Sequence, residues 1–128
     1  LDSGDHRAAY LAGSEVLAGR LLFVDASAPT DPFAATFKID DALGDGEALR
    51  ARVTEGFLVT SNGDSASDTS GVRFAATVAA GAHYIATDRL QPDEGAPAAI
   101  PGGAPAACNP VTAPADCTPQ GVEDLSPD

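Results

Sequence analysis

Methionine and tryptophan are absent from this chain, cysteine occurs only twice, and aromatic residues make up just 5% of it. Without Trp, and with tyrosine only at Tyr10 and Tyr84, the stacking platforms common in sugar-binding modules are missing. The lack of any Met means that the initiator is not part of this sequence, whether through processing or trimming, and a start at Leu1-Asp2-Ser3 is compatible with a mature secreted chain although no signal peptide is visible. Lysine is limited to Lys38, and the net charge is −12. That sign excludes the basic footprint needed for nucleic-acid binding and disfavours anionic membrane surfaces. No apolar run approaches the ~18–20 residues of a membrane span. The core therefore has to be assembled from Ala, Val, Leu, Ile and five Phe in one modest domain.

Proline, by contrast, is concentrated. Residues 91–128 hold eight of the ten prolines, six acidic residues, both cysteines and no Lys or Arg. Proline lacks the amide donor and fixes φ, so this stretch reads as an extended acidic arm following a domain at residues 1–90. Cys108 and Cys117 share one loop, whereas His6 and His83 lie far away in sequence, so no four-ligand zinc set is apparent. A Cys108–Cys117 disulfide is the expectation, and with it an oxidising, extracellular compartment. Ile100, Val111, Val122 and Leu125 are the arm's candidate anchors on a neighbouring apolar surface.

Within residues 1–90, Asp5 precedes a stretch suited to one or two helical turns before Gly13. Arg20 to Val24 reads as a buried strand. Phe33, Ala35, Phe37 and Ile39 alternate with polar or small residues, as do Leu49, Ala51 and Val53 with Arg50 and Arg52, and Val72, Phe74, Ala76 and Val78 with Arg73 and Thr77. Gly56 and Gly81 mark turns, after which Phe57–Thr60 and Ala82–Thr87 read as further strands. Six short strands without a long helix predict an all-β fold, a small antiparallel β-sandwich or barrel. Its expected core is Phe33, Phe37, Ile39, Val53, Phe57, Val59, Phe74, Val78 and Tyr84. The segment Val78–Tyr84 resembles the Ala-Gly-x-Tyr hairpin of secreted β-sandwich modules, which implies the same fold class.

The polar loops hold the candidate chemistry. Phe57 to Asp68, with its Gly63-Asp64-Ser65 core, resembles the nucleophile block of GDSL-type esterases, and the resemblance implies Ser65 as nucleophile. The Asp-x-x-His block of that family is not matched, because Ala80 stands three residues before His83. Asn62, Asp64 and Asp68 offer oxygen ligands for calcium, and Asp40, Asp41, Asp45 and Glu47 form a second acidic group. Neither follows EF-hand spacing. A cupredoxin-like copper site is excluded by the lack of Met. The reading that follows assigns no catalytic residue, metal or cofactor. It describes a non-enzymatic structural subunit of a filament, surface layer or capsid decoration, self-assembling as a homo-oligomer or with other subunits through edge strands and the arm. The alternative is an accessory binding module of a secreted or cell-surface protein, and the third reading is a serine hydrolase resting on Ser65.

Overall fold

The structure, a computed structural model, describes residues 4–14, 16–65, 70–89, 100 and 106–123. Among them the element order is α1 (Asp5–Leu11), β1 (Thr36–Lys38), α2 (Ala42–Thr54), β2 (Leu58–Asn62), α3 (Val72–Ala80), β3 (Tyr84–Ala86) and α4 (Pro119–Glu123). The three strands form one sheet in the order β1-β2-β3, and both pairings are parallel. A parallel neighbour cannot be reached by a hairpin, so each connection crosses over through a helix. Helices α2 and α3 pack on each other and on β2.

The chain is therefore mixed α/β, which corrects the expected antiparallel β-sandwich. The error has a physical source. Leu49 and Val53, read as alternate positions of a strand, are also one helical i, i+4 pair, and with Ala42 they line the buried stripe of α2. Asp41 starts this helix by accepting a hydrogen bond from the Leu43 amide (3.1 Å). Glycines 44 and 46 weaken its first turns, and Asp45 carries non-helical dihedrals (φ −114°, ψ 20°). The run Val72–Ala80 is likewise helical and buries Thr77 and Ala80. Gly81, read as a hairpin turn, instead ends α3 in the left-handed region at φ 88°.

Val24, Ala26, Phe37, Ala42, Leu49, Val53, Val59 and Ala80 are the buried apolar residues. Phe33, Ile39 and Phe57 are half-buried against this core, and the Phe37 and Phe57 rings meet edge to face at 5.0 Å. Phe74 and Val78 are also half-buried, whereas Tyr84, expected inside, is 61% exposed. Arg20–Val24 does not become a strand. Leu21, Leu22 and Phe23 are exposed, and the segment meets the sheet only at its end, where buried Val24 accepts from the Thr36 hydroxyl (3.0 Å) and the following Asp25 makes a single parallel bridge to Thr36.

The disulfide loop closes the opposite side of the molecule. Cys108 and Cys117 are joined, with Cα atoms 6.0 Å apart. Asn109 donates from its side-chain amide to the Gly81 carbonyl (2.8 Å) and accepts from the amides of Val111 (2.9 Å) and Thr112 (3.3 Å). Val111 packs on the main core, Ile100 is half-buried, Val122 is exposed, and Leu125 lies outside the described residues. Two of the four expected anchors thus have at least partial cover.

Candidate functional site at the carboxyl ends of the strands

A parallel sheet gathers the loops that follow its strands at one edge, the position where ligands of α/β proteins ordinarily bind. Here each strand is followed two residues later by an aspartate: Asp40 after β1, Asp64 after β2 and Asp88 after β3. Arg73, in the first turn of α3, donates to Asp41 Oδ1 (2.6 Å), so it ties the start of α3 to that of α2. Lys38 lies 3.8 Å from Asp40. Asp64 is only 9% exposed, and it accepts from the Thr87 hydroxyl through Oδ2 and from the Asp88 amide through Oδ1 (3.2 Å). Arg89 donates to the Ser65 carbonyl (2.8 Å), a second tie between the ends of β2 and β3.

The face of the sheet opposite α2 and α3 continues this edge. Buried Phe37 and Val59 point to the helices, so the pleat sends Lys38, Thr60 and Asn62 the other way. Lys38 pairs with Thr60, and Thr60 with Tyr84, which sets an ammonium, a hydroxyl and a phenol in one row across three strands. Such a row can donate several hydrogen bonds and one positive charge to a single anionic group.

The sequence-derived candidates are scattered relative to this edge. Ser65 sits just beyond β2, but His83 precedes β3 at the opposite end of the sheet, where its Nδ1 accepts from the Val59 amide (3.2 Å). The two do not form a nucleophile–base pair. His6 lies in α1, Asp45 and Glu47 are exposed on α2, and Asp68 lies outside the described residues. Arg73, Thr87, Asp88 and Arg89 were missed. Their signal was the recurrence of an aspartate two residues after each strand, legible only once the strands are placed. A hollow of about 690 Å³, lined by Leu11, Pro32 and Phe33 among others, lies beside α1 and has no titratable side chain in its wall.

A parallel α/β unit with a polar edge at its strand ends fits the enzymes and binding domains that act on small charged groups. The model of one such family, described as phosphoinositide phospholipase C, Ca2+-dependent, matches residues 1–110, and the chain belongs to that family. No curated protein and no solved structure matches it. Family membership overturns the reading as a structural subunit of a filament or surface layer, and points to a phospholipase-related domain.

The calcium in the family description can be tested against the side chains present. Among the described residues no three His, Cys, Asp or Glu side chains come together as a cation site. Asp64 and Asp41 also accept from protein donors, and the residues described do not fit the ion.

Proposed function

We propose that this chain forms the headgroup-binding part of a phospholipase-related domain. The observation that carries the reading is the Lys38–Thr60–Tyr84 row on the face of the sheet turned away from α2 and α3, next to the edge where its strands end. A phosphorylated polyol offers what this row can bind: a phosphate to accept from the Lys38 ammonium, and hydroxyls to pair with Thr60, Tyr84 and Asn62. Lys38 matters more here than a lysine usually does, because a chain of net charge −12 repels anions at long range and attraction has to be local. His83 takes no part in this reading, since it precedes β3 at the opposite end of the sheet. The joined pair Cys108–Cys117 favours an oxidising compartment.

Calorimetry with a soluble inositol phosphate tests the assignment. Lys38→Met should weaken binding about ten- to a hundredfold, the value of one charge-assisted hydrogen bond, and leave the unfolding midpoint unchanged. Equal affinity in the variant would overturn the assignment of the row as the headgroup site.

A further inference from the structure

We infer that Asp64 is a clasp between the ends of β2 and β3, and that Asp64, Asp41 and Asp40 hold no calcium, although the family is defined as calcium-dependent. Calcium takes six to eight oxygen ligands, several of them from carboxylates, at about 2.3–2.6 Å. Asp64 has little left to offer such an ion. Its Oδ2 accepts from the Thr87 hydroxyl and its Oδ1 from the Asp88 amide, within a side chain that is 9% exposed. Turning either oxygen toward a cation would leave a donor of β3 without its acceptor. Thr87 is in turn fixed by the Arg89 amide, which donates to its hydroxyl oxygen (3.0 Å).

The neighbouring carboxylates are engaged in the same way. Asp41 Oδ1 accepts both from the Leu43 amide, as a helix cap, and from Arg73. Asp40 faces the Lys38 ammonium at 3.8 Å. Two positive side chains among these aspartates oppose a divalent ion by direct repulsion. These three carboxylates therefore act on the protein itself: Asp64 joins two strand ends, Asp41 starts a helix and binds the next helix, and Asp40 lies beside Lys38. This inference stands apart from the headgroup reading, because it concerns carboxylates rather than the Lys38 row.

The test uses the full chain in metal-free buffer, with unfolding midpoints and calorimetry recorded without and with millimolar Ca2+. Wild type, Asp64→Asn, Asp41→Asn and Thr87→Val are compared. Without calcium, Asp64→Asn and Thr87→Val should each lower the midpoint by about 4–8 °C, the shift expected for one lost charge-assisted bond in a small domain. The change produced by Ca2+, whether zero or positive, should be the same in all four proteins. A calcium-induced stabilisation of wild type that disappears in Asp64→Asn or Asp41→Asn would overturn the inference. So would a calcium affinity that falls about tenfold or more in either. Thr87→Val keeps the test decisive if Asp64→Asn does not fold. It removes one donor but keeps the carboxylate, so a clasp predicts a lower midpoint in metal-free buffer with the calcium response left at the wild-type value, whereas an unchanged midpoint without calcium would overturn the clasp.

Discussion

At the carboxyl ends of the three strands the chain sets aspartates, arginines and a lysine: Arg73 ties α3 to the start of α2, Asp64 and Arg89 tie the ends of β2 and β3, and Lys38 faces Asp40 two residues on. At the amino ends it sets Gly56, Gly81, a histidine that accepts a backbone bond, and a disulfide-closed loop that packs Val111 into the core. One end of the sheet is polar and charged, and the other is tightly packed at Gly81, though not at Gly56. The difference is one of degree for stability and of kind for function: change at Gly81 and the disulfide loop should cost most in folding, and only change at the Lys38 row should cost binding.

The largest expected effect is at Gly81. Its φ of 88° disfavours any side chain, and a Cβ there would stand 2.6 Å from Val111 Cγ2 and 3.0 Å from Asn109 Oδ1. Left-handed strain and overpacking together predict that Gly81→Ala destabilises by about 2–5 kcal/mol in urea unfolding. Adding Val111→Ala should recover part of the loss by removing the clash while leaving the strain. A neutral Gly81→Ala would show that the loop is not seated on the domain, and the contrast between the two ends would fail.

Next comes the staple itself. Replacing Cys108 and Cys117 with serine opens a loop of about ten residues and should cost about 2–3 kcal/mol. The loss should pass through Asn109, the neighbour of Cys108, whose side chain holds Gly81. Asn109→Ala should therefore matter less in the serine variant than in wild type. Inositol phosphate affinity, measured on the protein that remains folded, should not change. A matching fall in affinity would join the two ends of the sheet that the comparison separates.

Much of the core was legible in the sequence, and its direction was not. Phe37, Val53 and Val59 are buried as the hydrophobic pattern predicts, and Gly56 and Gly81 stand where the chain turns. Alternation says which residues share a face but says nothing of whether neighbouring strands run parallel. Over five residues it also cannot separate a strand from one and a half turns of helix, which is how Leu49–Val53 was misread. Better discrimination lay in the start signal at Asp41 and in the Ala42, Leu49, Val53 spacing, which fits only a helix. At the candidate site, Asn62 and Asp64 stood out as oxygen-rich positions. Their roles were hidden because Thr87 and Asp88, which bind Asp64, are more than twenty residues away in sequence.

At the carboxyl end, Arg73→Met removes the tie between the starts of α2 and α3. The Arg73 side chain is largely covered while Asp41 is half exposed, so water already screens the pair. A loss of about 0.5–1 kcal/mol is expected, well below the effects at the amino end. It should shrink in high salt, because an exposed ion pair is screened there and packing is not. A loss as large as that of Gly81→Ala would mean that this end, too, is built for stability.

The smallest effect belongs to the turn that leads into β1, and it is visible only through pH. Asp31 Oδ2 accepts from the amides of Ala28 and Ser27, both at 2.9 Å. The Ala28 bond, then the Ser27 bond, and more weakly the charge of Arg7, hold its carboxyl below the ordinary value of 3.8, against a small opposing effect of desolvation. A group whose pKa is depressed by folding adds stability that is fully present above its unfolded pKa and is lost as pH falls through the folded one. Asp31→Asn keeps an acceptor oxygen but removes the charge, so the difference between the two proteins isolates this contribution. Their unfolding midpoints should differ by a constant amount from neutral pH down to about pH 4, and should converge below it. A difference that persists unchanged into acid would assign the effect to the shape of the side chain rather than to its charge. The turn would then be held, like the rest of the amino end, by packing and backbone geometry alone.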